Sequence, residues 1–401
     1  MKNTVSGRRW LYLILGTAAL LFAGIIYGWS ILKAPLADEF GWNASALSLN
    51  FTLTMCFFCF GGMLGGVLMK KFGFRPVCIL AAALSAAGFL LAARIQGRVG
   101  QLYFSYGFLA GLGIGIAYNA LISTVSAWFP DRKGLCSGVL MMGFGASALV
   151  VGSLADSLIA SPSVGWRGAY RILGIALGVI LLLTALLLKR PEPQAVPSSA
   201  AAGSASGSSR HEFTTAEMLR SISFWKAFLI LVFLAAVGNT VISMARDLAL
   251  SVGTTAAAAT LLVGVLSVCN GLGRVITGAV FDRFGRRTTM IGANLSAICA
   301  AAITLAAVLT HSQLLCILGL CLTGLSYGTC PTVSSAFISE VFGTRYFSTN
   351  FPVMNCNLIF ASFIATGASL LTASFGSYAA AFVLLLGLSA VALLLNLSLK
   401  D

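Results

Sequence analysis

Twelve runs of apolar residues, each of membrane-spanning length, follow one another along the 401-residue chain, separated by short stretches that collect its charges, prolines and turn glycines. They cover roughly residues 10–32, 45–69, 77–93, 101–128, 136–159, 168–188, 223–246, 257–281, 288–309, 313–338, 348–372 and 377–398. About 20 apolar residues cross the hydrocarbon core as a helix, and in lipid only a helix or a closed barrel satisfies the backbone. Runs of this length predict an all-α membrane protein with twelve transmembrane helices. The first run starts directly after Arg8 and Arg9, exceeds a signal-peptide core and has no small-residue cleavage site behind it, so it reads as a retained helix.

Composition agrees with the pattern. Hydrophobic residues make up 58% of the chain and charged residues 9%, and the mean hydropathy is +0.96, too few charges to cover a soluble surface. A net charge of +14 would suggest nucleic acid in a soluble protein. Here its distribution points instead to orientation. With the N-terminus inside, 18 of the 25 Lys and Arg fall on the cytoplasmic side, and only Lys33, Arg94, Arg98, Arg167 and Arg171 fall outside. By the positive-inside rule both termini are cytoplasmic, in the cell (inner) membrane. The ten cysteines lie scattered in apolar helices, and Cys56-Phe-Phe-Cys59 has neither a second pair nor a nearby histidine, so no metal site is expected. His211 and His311 form no catalytic constellation and no Walker loop is present, so neither enzyme chemistry, nor ATP, nor a cofactor is implied.

The chain repeats itself. Gly66-Val-Leu-Met-Lys-Lys-Phe-Gly73-Phe-Arg75 matches Gly278-Ala-Val-Phe-Asp282-Arg283-Phe-Gly285-Arg286-Arg287 at an offset of 212 residues, and Phe129–Gly134 meets Val341–Tyr346 at the same offset. Gly111 and Gly115 fall against Gly324 and Gly328 at 213. One spacing for several marks means two six-helix halves, residues 1–190 and 223–401, joined by a cytoplasmic segment at 191–222. Its first part, PEPQAVPSSAAAGSASGSSR, reads as a flexible linker, and Thr214-Thr-Ala-Glu217 is a capping box opening a short helix.

The G-x-x-x-D-R-x-G-R-R turn at Gly278–Arg287 resembles the signature of the major facilitator superfamily, with Lys70 standing where the first copy would carry the acid. Tyr27-Gly-Trp29-Ser30, Trp128–Gly138 and Phe213–Trp225 narrow the resemblance to the oxalate:formate antiporter family and the proton-coupled monocarboxylate transporters. That resemblance implies two six-helix bundles around a central cavity. It also implies that the charges of the turn, Asp282 and Arg283 in the second copy, gate the cytoplasmic face.

Arg274 sits inside the eighth apolar run, LLVGVLSVCNGLGRVITGAVF. An arginine at mid-helix costs roughly 2.5–3.5 kcal/mol on insertion scales, so such residues usually face a cavity or a partner. Asn270 lies one turn before it on the same face, where amide and guanidinium can take a carboxylate together. The resemblance implies the same use of both positions; the bland alternatives are a structural ion pair for Arg274 and a helix-knitting amide for Asn270. Tyr118 and Asn119 in the fourth helix and Tyr327 in the tenth sit near mid-span, where two phenols could donate to a carboxylate from opposite sides. Asn355, Cys356 and Asn357 follow Pro352 in the eleventh helix, with Cys356 as a candidate wall residue. The oxalate transporter of the family uses a lysine in that helix, whereas no Lys or Arg occurs here between Arg345 and Lys400. One cation suits one negative charge. Arg246 and Asp247 are adjacent near the outer end of the seventh helix and about 100° apart around it, which leaves Asp247 open to three roles: proton carrier, outer gate, or interfacial pair.

These readings predict a secondary transporter, expected as a monomer, that moves a small carboxylate anion of the lactate or pyruvate class through the bilayer, coupled to protons. Oxalate–formate exchange is the alternative within transporters; a channel and a non-transporting sensor are the alternatives outside them.

Overall fold

The computed structural model describes residues 2–129, 133–189, 212–343 and 346–399, with 2–7, 133–135, 137, 282, 347 and 348 described by backbone alone. The linker at 191–210 lies outside these. Twelve helices are long and apolar enough to cross a membrane: α1 (Arg8–Leu32), α2 (Ala44–Phe72), α3 (Phe74–Ala92), α4 (Val99–Ser126), α5 (Gly138–Ala160), α6 (Gly165–Leu187), α7 (Ile222–Ser251), α8 (Ala256–Phe281), α9 (Arg283–Thr310), α10 (Gln313–Val341), α11 (Thr349–Phe375) and α12 (Ala379–Leu397). Each predicted run corresponds to one of them. The described residues contain no strand.

Caps set where the helices start. The side chains of Asn43, Thr255 and Ser312 accept from the amides of Ala46, Ala258 and Leu315 at α2, α8 and α10. The predicted capping box is present at the short helix Thr215–Arg220, with Thr214 and Glu217 bonded reciprocally. Phe213 ties this helix to the end of α10, its amide donating to Phe342 O at 3.1 Å and its ring meeting Phe342 edge to face.

The helices assemble as two six-helix bundles in which matched positions of the duplication do matched work. In one bundle α2 packs on α4 and α3 on α6; in the other α8 packs on α10 and α9 on α12. Gly73 between α2 and α3 (φ 77, ψ −178) and Gly285 between α8 and α9 (φ 75, ψ 178) share one left-handed backbone conformation. Gly115 and Gly328 lie against the carbonyls of Phe58 and Asn270, so a methyl group at either would overlap backbone. Gly328→Ala is therefore expected to cost about 1–3 kcal/mol, as overpacking does. Thermal unfolding of the purified protein in detergent checks this: a melting temperature equal to wild type would mean that α8 and α10 part without penalty.

Between the bundles α2 packs on α11, α5 on α8, and the Trp29–Leu32 end of α1 on α7. α5 is irregular at its crossing: the helix breaks at Ala146 and resumes as a π-turn over Ala148–Gly152. Ser267 on α8 repairs the break, donating to Gly145 O while accepting from Ala148 N at 3.3 Å. Gly145 and Gly271 let the two backbones meet there.

Candidate functional site

Arg274 lies at the meeting of the bundles. It is 4% exposed, and its Nη1 donates to Met141 O on α5 at 2.8 Å, while its Nε has no partner. No acid pairs with it among the described residues. Helix α8 holds the guanidinium there because Gly271 and Gly273 bring its backbone close to α5 and α10.

Arg274 lines two cavities. A central one of about 30 Å³ is walled by Tyr27, Phe58, Tyr118, Phe144 and Tyr327, with Cys330, Ser334, Asn355 and Asn357 completing it. The rings interlock. Tyr327 meets Tyr27 edge to face at 5.9 Å, Tyr27 meets Phe144 at 5.3 Å, and Tyr118 meets Phe144 at 4.9 Å. The second cavity, of about 1270 Å³, starts at the same Arg274 and Tyr118 and runs to the helix ends that carry Lys70, Ser126, Phe281, Ser339 and Thr349.

The opposite end is closed by contacts between bundles. Lys33, just past the end of α1, puts its Nζ 2.7 Å from Asp247 Oδ2 on α7; Lys33 is 4% exposed and Asp247 35%. Thr52 on α2 donates to Ser362 O at 2.6 Å and shares a 2.7 Å hydrogen bond with Thr366, both on α11. Lys33 precedes a short helix, Ala34–Phe40, whose Glu39 accepts from Trp166 Nε1 at 2.5 Å and pairs with Arg167 at 2.7 Å. Hydrogen bonds from Arg167 and Trp166 hold the Glu39 carboxyl below the usual carboxylate range. Tyr170 adds a hydrogen bond to Leu32 O at 3.1 Å. The buried lysine is thus held in place by α6.

The other predicted residues fall as follows. Asn270 is fully buried one turn from Arg274 and lines neither cavity; both its amide atoms lack a partner, which leaves a desolvation penalty of about 1–3 kcal/mol uncompensated. Tyr327 Oη is also buried and unpaired. Asn119 lines the larger cavity while its Nδ2 donates to Gly62 O at 2.6 Å, tying α4 to α2. Cys356 lines neither cavity: its Sγ sits 3.6 Å from Met63 Sδ. Arg246 looks away from Asp247, its Nε reaching Thr260 Oγ1 at 3.5 Å. Arg283 is exposed with its guanidinium 5.4 Å from the Phe284 ring centroid, and the Asp282 side chain lies outside the described residues.

Sequence reasoning counts Lys33 only as an outer charge and passes over Phe58, Phe144 and Ser267. The phenylalanines carry no signal, since an apolar residue in an apolar helix reads the same whether it faces lipid or cavity. Lys33 does carry one, a cation beside Pro35 in an otherwise apolar stretch. Of the motif Tyr27–Ser30, Tyr27 reaches the central cavity, whereas Trp29 is fully buried and donates to Leu47 O at 3.0 Å.

The chain is 28% identical over 349 residues to the oxalate:formate antiporter of Oxalobacter formigenes, a match covering 86% of this chain and 80% of that protein. It is 37% identical over 115 residues to monocarboxylate transporter 1 of Bos taurus, covering 28% of this chain and 22% of that one. In fold it is similar to the crystal structure of a D-xylose-proton symporter, with a TM-score of 0.76, 16% identity and 98% of both chains covered. Residues 13–366 match the Major Facilitator Superfamily, and with twelve spans in two bundles around a cation-bearing cavity the chain belongs to that family of membrane transporters.

Proposed function

We propose that the protein is a secondary active transporter of small organic monocarboxylates, of the lactate and pyruvate class, working by alternating access and coupled to protons. The observation that carries this reading is Arg274: one buried guanidinium, with no acid partner among the described residues, lining both cavities where the bundles meet. A buried charge needs a counter-charge, and a substrate carboxylate supplies it. The central cavity sets Tyr118 and Tyr327 beside Arg274 as hydroxyl donors for a carboxylate and Phe58 and Phe144 for a short apolar tail. Among the described residues Arg274 is the only charged one lining that cavity, which suits a monoanion better than a dianion.

Asp247 is the residue we assign to coupling. Protonating it removes the partner of Lys33 and loosens the outer closure, so proton entry and outer opening become one event. The charge asymmetry supports a multi-pass protein with both termini in the cytoplasm and the large cavity open to the inside. Anion exchange is the second reading, favoured by the antiporter among the relatives that match over most of the chain.

Reconstituted protein tests both. Labelled lactate or pyruvate is expected to accumulate against its gradient when the outer side is acidified, and labelled oxalate is not. Uptake of oxalate driven by internal formate and indifferent to pH would replace the first reading with the second.

A further inference from the structure

Among the described residues two charged side chains line the large cavity, Arg274 at its inner limit and Lys70 near its mouth, and both are positive. No described aspartate or glutamate lines it. Lys70 lies in the last turn of α2, seven residues and so about 10 Å along the helix from Met63, which lines the deeper wall. It is exposed and forms neither an ion pair nor a hydrogen bond among the described residues. Its neighbour Lys71 does not line the cavity and instead lies 5.2 Å from the ring centroid of Phe72. The duplication places Lys70 opposite Asp282, so the first half carries a cation where the second carries an acid. The rest of the lining is mostly apolar, with neutral hydroxyls among it such as Ser123, Ser335 and Ser339.

From this arrangement we propose that Lys70 makes the mouth of the cavity a capture station for carboxylate anions, which hands them on to Arg274. A cavity lined by one sign of charge with low-dielectric walls focuses field and raises the local concentration of its counter-ion, by about 10- to 1000-fold in on-rate where steering is strong. An acid at position 70 would oppose the same traffic. The station acts on exchange with the compartment at the Lys70 end only, because the ion pair and the threonine contacts close the other end in this conformation. The proposal extends the carboxylate-transport reading, yet the field it invokes is measurable without knowing the substrate.

In a cysteine-free background, Ile122→Cys places one reporter thiol in the cavity lining. An anionic sulfonate-bearing methanethiosulfonate and a neutral one of similar size are compared at this thiol at low salt. The ratio of anionic to neutral rate is expected to fall about 10-fold in Lys70→Gln and further in Lys70→Glu, with high salt narrowing the differences. In protein that retains its native cysteines, the KM for monocarboxylate is expected to rise by a similar factor at the Lys70 face alone. Impermeant maleimide reaching Gln96→Cys but not Ser204→Cys identifies that face as the inner one. An unchanged rate ratio, or a KM that rises equally at both faces, would overturn the station and leave Lys70 as a helix-end cation. Should wild type carry no monocarboxylate, the functional reading fails, and the reagent ratio still decides the role of Lys70.

Discussion

Replacing Arg274 with glutamine is expected to abolish carboxylate transport while leaving the protein folded. Hydrogen bonds to charged groups contribute about 1.5–3 kcal/mol each, so losing a bidentate pair weakens carboxylate binding by roughly 100-fold or more. Stability should survive for a specific reason. An arginine that balanced a buried acid would strand that acid on removal, at about 3–5 kcal/mol. Arg274 has no such acid among the described residues: Asp247, the one candidate from another helix, pairs with Lys33. What the substitution takes away is the hydrogen bond from Nη1 to Met141 O. Removing the guanidinium also relieves an insertion cost of roughly 2.5–3.5 kcal/mol. Arg274→Lys keeps the charge without the planar fork and is expected to bind weakly but measurably. Counterflow in liposomes and thermal unfolding in detergent, read together, check this. Transport by the glutamine variant, or unfolding many degrees below wild type, would remove Arg274 from the substrate site.

Neutralising Asp247 is expected to open the end that Lys33 and Asp247 close, and to do so more strongly than neutralising Lys33. The asymmetry follows from burial. Asp247→Asn leaves a lysine ammonium 4% exposed with no counter-charge, whereas Lys33→Met leaves a carboxylate that is 35% exposed and still reaches water. An unpaired buried charge costs several kcal/mol, and each step of about 1.4 kcal/mol is tenfold in the balance between closed and open states. A reporter cysteine at Ser243, buried one turn below Asp247, reads that balance through labelling by impermeant maleimide from outside. Labelling should rise by about 10- to 100-fold in Asp247→Asn, less in Lys33→Met, and less in the double variant than in Asp247→Asn alone, because the double variant buries no orphan charge. Equal labelling in all three would mean that the pair is an ornament of the closed state and does not hold it.

The candidate site was legible wherever a residue violated its surroundings. Arg274 in an apolar run and Asn270 a turn before it could be singled out because lipid tolerates neither without a reason. Asp247 was visible for the same cause, but its role could not be settled, since the partner that limits it is Lys33 beyond the end of α1, more than 200 residues away in sequence. Cys356 had less to mark it: its place after Pro352 made it a candidate wall residue, and its sulfur lies 3.6 Å from Met63 Sδ.

By itself the sequence determined the twelve spans, the repeated marks with their Gly73 and Gly285, and the capping box at Thr214, the spans and the cap because each is a local demand. A helix must be long and apolar enough for the bilayer, a left-handed turn needs glycine, and a helix start needs a side-chain acceptor. Only the tertiary structure decided which polar residues meet. Facing is set by how two backbones approach, between the bundles at Gly145 and Gly271 and within one bundle at Gly328 and Asn270, and that approach brings Arg274 to the Met141 carbonyl and five aromatic rings around one small cavity. It also decided that one end of the molecule is closed by Lys33 and Asp247 while the other leads past Lys70 to the arginine, since a charge acts on whatever packing places beside it and not on its neighbours in the chain.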